Sequence, residues 1–298
     1  MRILTTLFAA LVTLAASAQT TPRWLRQNAI SPDASKIVFM YQGDLFIVPA
    51  EGGEARQLTT NPAHDTEPVW SPDGKYVVFA SWREGSKDIW AVSVDGGTPL
   101  RLTTFGGRET PLTVAPDGTL YFAANIQEDT GSSVFPGDGK LYSLPLAGTM
   151  QAAAAGKTLP APKQVFSFDV ASLSVNDKGV FLYEDVKGYE DYFRKHHTSA
   201  VTKDIWLKDG SAFTKLTSFP GEDRNPVWAP DGSWYYLSER GGTRRGGPDG
   251  PVVDEPQVDD WGGDSNIWSS DGKQITHFEK NPVRFLSIAS DPLFFAHS

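Results

Sequence analysis

The stretch Val69–Thr104, VWSPDGKYVVFASWREGSKDIWAVSVDGGTPLRLTT, is a complete four-strand unit. Val69-Trp70 runs into a Ser71-Pro72-Asp73-Gly74 turn, and Tyr76 to Ala80 alternates onto a second strand. Asp88 to Val92 forms a third strand, and a Gly96-Gly97 turn leads to a fourth over Pro99 to Leu102. Each break has a cause: proline presets φ at Pro72, Asp73 bonds backbone two residues on, and Gly74 and Gly97 accept positive φ. The runs between breaks are β-branched and aromatic, as strands require. One four-stranded sheet cannot bury both of its faces, so the unit needs neighbours like itself.

The chain supplies them. Ser31-Pro32-Asp33, Ala115-Pro116-Asp117-Gly118 and Ala229-Pro230-Asp231-Gly232 repeat the turn, with a degenerate copy at Asn176-Asp177-Lys178-Gly179 and a last one at Ala289-Ser290-Asp291. The third strand recurs as Asp44-Leu45-Phe46, Lys140-Leu141-Tyr142, Asp204-Ile205-Trp206 and Asn266-Ile267-Trp268. A closing phrase follows it in most copies: Arg56-Gln57-Leu58-Thr59, Arg101-Leu102-Thr103, Lys215-Leu216-Thr217 and Gln274-Ile275-Thr276. Recurrence in the same phase at both ends of the unit predicts an all-β propeller of four-stranded blades rather than a β-sandwich. The count gives a six-bladed type with five blades complete. The sixth unit begins near Leu286 and stops within or just after its second strand, so the chain is expected to be part of a longer protein. The recurring Trp70, Trp90, Trp206, Trp228 and Trp268 are expected to pack between blades.

Composition agrees with a single large domain. The chain has 298 residues, 40% of them hydrophobic and 12% aromatic, enough for a substantial core. A net charge of −9 disfavours a nucleic-acid partner. Residues 1–18 have the pattern of an export signal: Arg2, an apolar run from Ile3 to Ala15, and Ala16-Ser17-Ala18 as the cleavage site, with cleavage expected before Gln19. The propeller then occupies 19–298, in a periplasmic or secreted protein. No other apolar run approaches the roughly 20 residues a spanning helix needs. With no cysteine there is neither a disulfide nor a lipoprotein anchor, and stability rests on packing.

Departures from the unit mark candidate functional loops. The fourth unit carries Lys187 to Lys203, KGYEDYFRKHHTSAVTK, whose Arg194, Lys195, His196 and His197 form a cluster able to grip a peptide carboxylate by charge-assisted hydrogen bonds. The competing expectation is that Tyr189, Tyr192 and Phe193 pack while the cations pair with Glu190 or Asp191. The fifth unit carries Arg240 to Asp264, rich in Gly and Pro and ending in Asp254, Glu255, Asp259, Asp260 and Asp264. Their spacing matches no calcium loop, so solvated acidity is expected. Met150 to Pro162 is expected to be a surface loop with one helical turn.

Ser-Pro-Asp-Gly, a strand and then Asp-Ile-Trp resembles the WD40-like repeat shared by the TolB propeller and the N-terminal part of tricorn-type proteases. The run Tyr189 to Trp206, with the opening Pro22 to Asp33, is similar to the six-bladed propeller of bacterial tricorn-like S41 serine peptidases. That resemblance covers about Pro22 to Ser298. It implies a parent protein with a second propeller, a PDZ domain and a serine catalytic domain. It also implies a role for this portion in guiding peptide or unfolded polypeptide to a catalytic centre elsewhere, with homo-oligomerisation possible. The alternative is a TolB-like periplasmic propeller that binds protein partners without catalysis.

No catalytic residue is assigned within the chain. It lacks Gly-x-Ser-x-Gly, the strained turn that exposes a nucleophilic serine, and it lacks His-Glu-x-x-His and any cysteine-based zinc spacing. A sialidase Asp-box places a residue between Asp and Gly, whereas Asp73-Gly74, Asp117-Gly118 and Asp231-Gly232 are contiguous. No metal or cofactor is expected.

Overall fold

The computed structural model describes residues 25–126, 139–188, 200–240, 265–278, 282–289 and 295–296. The first blade is β1 (Arg26–Ile30), β2 (Lys36–Tyr41), β3 (Asp44–Pro49) and β4 (Arg56–Gln57). The second is β5 (Asp65–Trp70), β6 (Tyr76–Ser81), β7 (Asp88–Ser93) and β8 (Leu100–Arg101). Each is a four-stranded antiparallel meander. The Ser-Pro-Asp turn works as its composition requires. Ser71 Oγ donates to Asp73 Oδ1 at 2.6 Å, Lys75 N donates to the same carboxylate at 3.1 Å, and Gly74 takes φ +67°. In the first blade the Ser31 hydroxyl, aided by the Ser35 amide, draws the Asp33 carboxyl down to about 2. In the degenerate copy Asn176 Oδ1 replaces the aspartate, accepting from Lys178 N and Val180 N.

The closing Leu-Thr phrase also has a structural cause. Each fourth strand is short, and its threonine turns back to satisfy the third strand. Leu45 N donates to Thr59 Oγ1, Ile89 N to Thr103 Oγ1, Ile205 N to Thr217 Oγ1 and Ile267 N to Thr276 Oγ1, all at 2.9–3.0 Å. The leucine or isoleucine before the threonine donates its own amide to the same strand residue, as Leu58 does to Leu45 O at 2.7 Å. A buried amide that lost such an acceptor would stand unpaired.

The third and fourth units depart from separate blades. Strands β9 (Glu109–Val114), β10 (Thr119–Ala124) and β11 (Lys140–Pro145) lead to β12 (Lys163–Val175), a single 13-residue strand. Its first half pairs with β11 and its second half with β13 (Phe181–Asp185), which continues to β14 (Ile205–Asp209) and β15 (Ala212–Lys215). The two blades therefore form one seven-stranded sheet. No Gly or Pro interrupts Lys163–Val175, so nothing forces a break between blades there.

Met150–Pro162 holds about one helical turn followed by loop, as expected, but that turn is the end of a longer helix, α1 (Leu146–Ala154). Leu146 and Thr149 are buried, Thr149 Oγ1 bonds Pro145 O at 2.8 Å, and the alanines favour helix until Gly156 ends it at φ +60°.

The fifth blade is β16 (Asp223–Trp228), β17 (Trp234–Ser238) and β18 (Asn266–Ser269), its fourth strand reduced to a bridge between Trp268 and Gln274. The sixth unit contributes β19 (Ser287–Ile288) and β20 (Phe295–Ala296), paired antiparallel.

The inner strands β1, β5, β9, the second half of β12, β16 and β19 each touch the next, and β19 touches β1. The hydrophobic core is accordingly divided into six clusters, one per seam. Trp70, Phe79 and Trp90 meet Val38 and Leu45 across the first seam, and Phe122 and Leu144 meet Val78 and Ile89 across the second. Phe181 and Tyr183 meet Ala115 and Leu141 across the third, and Tyr236 meets Leu182 and Ile205 across the fourth. Val283 and Leu286 pack on Leu237 and Ile267, and Ala289 packs on Ile30. The tryptophans thus occupy the seams as expected. Trp206, Trp228 and Trp268 are only partly buried there.

Each seam down to the sixth unit also carries one recurring backbone bond. An amide that opens an inner strand, or in the fourth and sixth units one within β12 or ahead of β19, donates to the carbonyl ahead of the third strand of the preceding blade. Asp65 N bonds Gly43 O, Glu109 N bonds Lys87 O, Val170 N bonds Gly139 O, Asp223 N bonds Lys203 O and Val283 N bonds Ser265 O, at 2.8–3.2 Å. Ile30 N donates to Ser287 Oγ at 3.0 Å and ties the sixth unit to the first.

Two blades add a buried ion pair. Arg83 forks onto Asp65, with both contacts at 2.9 Å, and lies 4.7 Å over the Trp90 ring. Arg240 holds Asp223 through one carboxylate oxygen and lies 5.6 Å over Trp268. Two measurements check this account of the blades. Thr59→Val should leave the Leu45 amide unpaired and cost about 1–3 kcal/mol in chemical denaturation. Arg83→Met should cost about 3–5 kcal/mol, because Asp65 is fully buried and would lose its counter-ion.

Candidate functional site

The ring of inner strands encloses a channel of about 1460 Å³, lined by residues of all six units. Equivalent bonds recur at each seam, so equivalent residues gather at the same level. The starts of the inner strands and the residues just before the third strands share one mouth; the Ser-Pro-Asp turns share the other. The turn mouth is lined by Ile30, Pro32, Trp70, Pro116, Trp228 and Pro230, together with Asn176, Asp177 and Lys178 of the degenerate turn. The opposite mouth is charged.

Lys87 and Lys203 hold the same place there, directly before the third strand. Lys87 Nζ lies 2.7 Å from Glu67 and 2.8 Å from Thr110 Oγ1, joining the second and third blades. It is almost completely buried; burial draws its ammonium below the usual lysine range, and Glu67 opposes that. Lys203 Nζ lies 2.6 Å from Glu184 Oε1, and its amide donates to Glu222 Oε2 at 3.2 Å. Burial pushes the Glu222 carboxyl up. Arg108 and Arg284 are exposed at the same mouth.

The inner strands bulge into this mouth. Gln27, Glu67 and Asn225 take left-handed φ of 48°, 52° and 50°, at the points where β1, β5 and β16 slip register. That conformation is uncommon for Gln and Glu and persists only where surroundings impose it. Here the bulges serve the seams. Gln27 Oε1 accepts from Glu67 N at 2.9 Å, Glu184 Oε2 from Asn225 N at 2.8 Å, and Asn225 Oδ1 from Leu286 N at 2.8 Å. A side chain of one blade satisfies the bulge amide of the next, which fixes lumen polarity and ring closure together.

Arg194, Lys195, His196 and His197 lie outside the described residues, as do Asp254, Glu255, Asp259, Asp260 and Asp264. The described flanks of the first cluster, Val186, Gly188, Val201 and Lys203, line the channel. The connection between β13 and β14 therefore begins and ends at the charged mouth. The interrupted connections β10 to β11 and β17 to β18 hold the same second-to-third-strand place in their blades. Among the described residues, no group of three or more His, Cys, Asp or Glu side chains comes together to hold a metal.

The lumen charges were missed in the sequence. Their signal is positional: a lysine immediately before Asp-Ile-Trp in two copies, and a polar residue before proline in Glu67-Pro68 and Asn225-Pro226.

The solved tricorn protease has the same architecture, with a TM-score of 0.67 at 18% identity over 93% of this chain. The chain spans 24% of that protein's length. A putative TolB from Agrobacterium tumefaciens matches at a TM-score of 0.59 and 17% identity, covering 87% of this chain and 82% of its own. At such identities the likeness concerns the fold. In sequence, the uncharacterized peptidase YuxL of Bacillus subtilis (strain 168) is 42% identical over 64 residues, 20% of this chain and 9% of that protein. The profile of the tricorn protease N-terminal β-propeller domain matches residues 22–298, and the chain belongs to that family.

Proposed function

We propose that this chain is the propeller portion of an exported tricorn-like S41 serine peptidase, in which it receives peptide or unfolded polypeptide and restricts its passage to a catalytic domain. The observation that carries the reading is the shared mouth. The connection bearing Arg194 to His197 starts and finishes at the charged end of the channel, beside Lys203, Glu184 and Glu222. One of the two main departures from the repeat in sequence thus has its described flanks at the charged end of the lumen. Partners in this reading are the peptide substrate and the second propeller, PDZ and catalytic domains of the parent polypeptide, with self-association between copies. The pattern of residues 1–18 supports export, and no described helix is long and apolar enough to cross a membrane.

A second reading, a TolB-like propeller that binds protein partners without catalysis, draws on the match that covers 82% of the Agrobacterium protein. The two separate in one experiment on the full-length protein. Replacing Arg194 and Lys195 together by Ala should lower kcat/KM for peptide hydrolysis roughly tenfold or more, the scale of losing a charge-assisted hydrogen bond. Hydrolysis that is unchanged removes the pair as substrate anchors. A full-length protein without hydrolysis, but with a protein partner captured through this mouth, favours the binding module.

A further inference from the structure

The first residue of an inner strand is acidic in three blades: Asp65, Glu109 and Asp223. Each sits opposite the end of its second strand, Asp65 against Ser81, Glu109 against Ala124 and Asp223 against Ser238. In the second and fifth blades the serine steadies an arginine two residues further on, and that arginine neutralises the acid. Arg83 Nε donates to Ser81 Oγ at 3.0 Å, and Arg240 Nε to Ser238 Oγ at 2.9 Å. The third blade has lost both parts. Ala124 replaces the serine and Ile126 replaces the arginine. The segment 127–138, QEDTGSSVFPGD, contains no Lys or Arg to replace it.

Glu109 is nevertheless completely buried, and among the described residues the polar groups that interact with its carboxyl are the Thr103 hydroxyl and the Asp88 carboxyl, with no arginine bound to it as in the sister blades. Its neighbour across the seam is Asp88, also fully buried, which already accepts from Ser86 at 3.0 Å and from Arg101 at 2.6 Å. Two ionised carboxylates cannot bond each other, whereas a neutral carboxyl can donate to an ionised one. Other charged groups around Glu109 are committed elsewhere. From β8, Arg101 is held by Asp88; before β7, Lys87 is held by Glu67 of β5; on β5, Asp65 is held by Arg83. Arg108, the residue before it, is exposed.

We propose that Glu109 and Asp88 share one proton across the seam between the second and third blades, and that loss of this proton loosens the seam. The proton leaves to solvent, and two buried anions then face each other with only Arg101 to offset them. Burial first, and Asp88 beside it, push the Glu109 carboxyl up to about 7, with the Thr103 hydroxyl opposing. The folded state therefore holds this proton more tightly than the unfolded chain, where glutamate has its ordinary pKa near 4.5. The stabilisation is fully present below that value and is lost as pH rises through about 7.

The test uses urea unfolding of the 298-residue chain from pH 4.5 to 8.5, comparing the wild type with Glu109→Gln. Glutamine keeps the shape, donates to Asp88 and cannot ionise. Between pH 5 and 8 the wild-type folding equilibrium should fall, relative to the variant, by about tenfold to a hundredfold. Parallel profiles for the two proteins would overturn the proposal. Ile126→Arg, which restores the arginine of the sister blades, should make the profile follow that of the glutamine variant. A direct reading that needs no variant to fold is the carboxyl ¹³C titration of Glu109 in the wild type. A midpoint between about 6 and 8 supports the shared proton, and one at or below about 5 overturns it.

Discussion

The structure depends on a single recurring bond, the one from an amide of each inner strand, or ahead of it in the sixth unit, to the carbonyl ahead of the third strand in the preceding blade. A four-stranded sheet has two faces to bury and two edges to manage. Stacking sheets face to face buries the faces, but apolar contact alone sets no angle between them. The seam bond does set it, because it joins the innermost strand of one blade to a fixed level of its neighbour. Five such bonds and the Ile30–Ser287 contact turn a row of sheets into a ring. The six apolar clusters, one per seam, supply the driving force, and the bonds supply the geometry.

The channel follows from that closure. Inner strands forced into a tight circle must leave some backbone amides facing the lumen, where no ladder partner exists. The amides of Glu67, Asn225 and Leu286 answer this by donating to Gln27, Glu184 and Asn225, each a side chain of the previous blade. Because those side chains are Gln, Glu and Asn, the lumen acquires charge and hydrogen-bonding capacity at one end. The mouth that function would use is therefore partly a by-product of making the ring. The same logic explains Glu109: its position is acidic in the sister blades, where a serine and an arginine make it harmless, and in this blade both supports are gone.

Much of this architecture was legible in the sequence, because its devices are local. Ser71-Pro72-Asp73-Gly74 forms its own turn, and Leu102-Thr103 reaches back only to Ile89. What escaped was decided by sequence-distant neighbours or by missing punctuation. The strand β12 passes from the third blade into the fourth because nothing in Lys163–Val175 stops it. The helix α1 begins four residues earlier than the alanine-rich stretch suggests, with Leu146 drawn into the seam cluster. The lumen ion pairs Lys87–Glu67 and Lys203–Glu184 join residues 20 and 19 positions apart, and the repeat marks only their lysines, by the place just before Asp-Ile-Trp, and not the acids they pair with. The candidate cluster at Arg194 to His197 was visible by its composition. The described flanks of the connection that bears it, Val186, Gly188, Val201 and Lys203, line the channel.

The central claim is that the ring is closed through the sixth unit, which among the described residues contributes two short strands. Amide hydrogen exchange at Val283 and Ile30 tests it most directly, since Val283 donates to Ser265 O only if the fifth seam is formed and Ile30 donates to Ser287 Oγ only if the sixth is. The account predicts that both amides exchange as slowly as the Asp65 and Glu67 amides of the first seam. Exchange of Val283 and Ile30 at the rate of an unstructured chain, with Asp65 and Glu67 still protected, would contradict it.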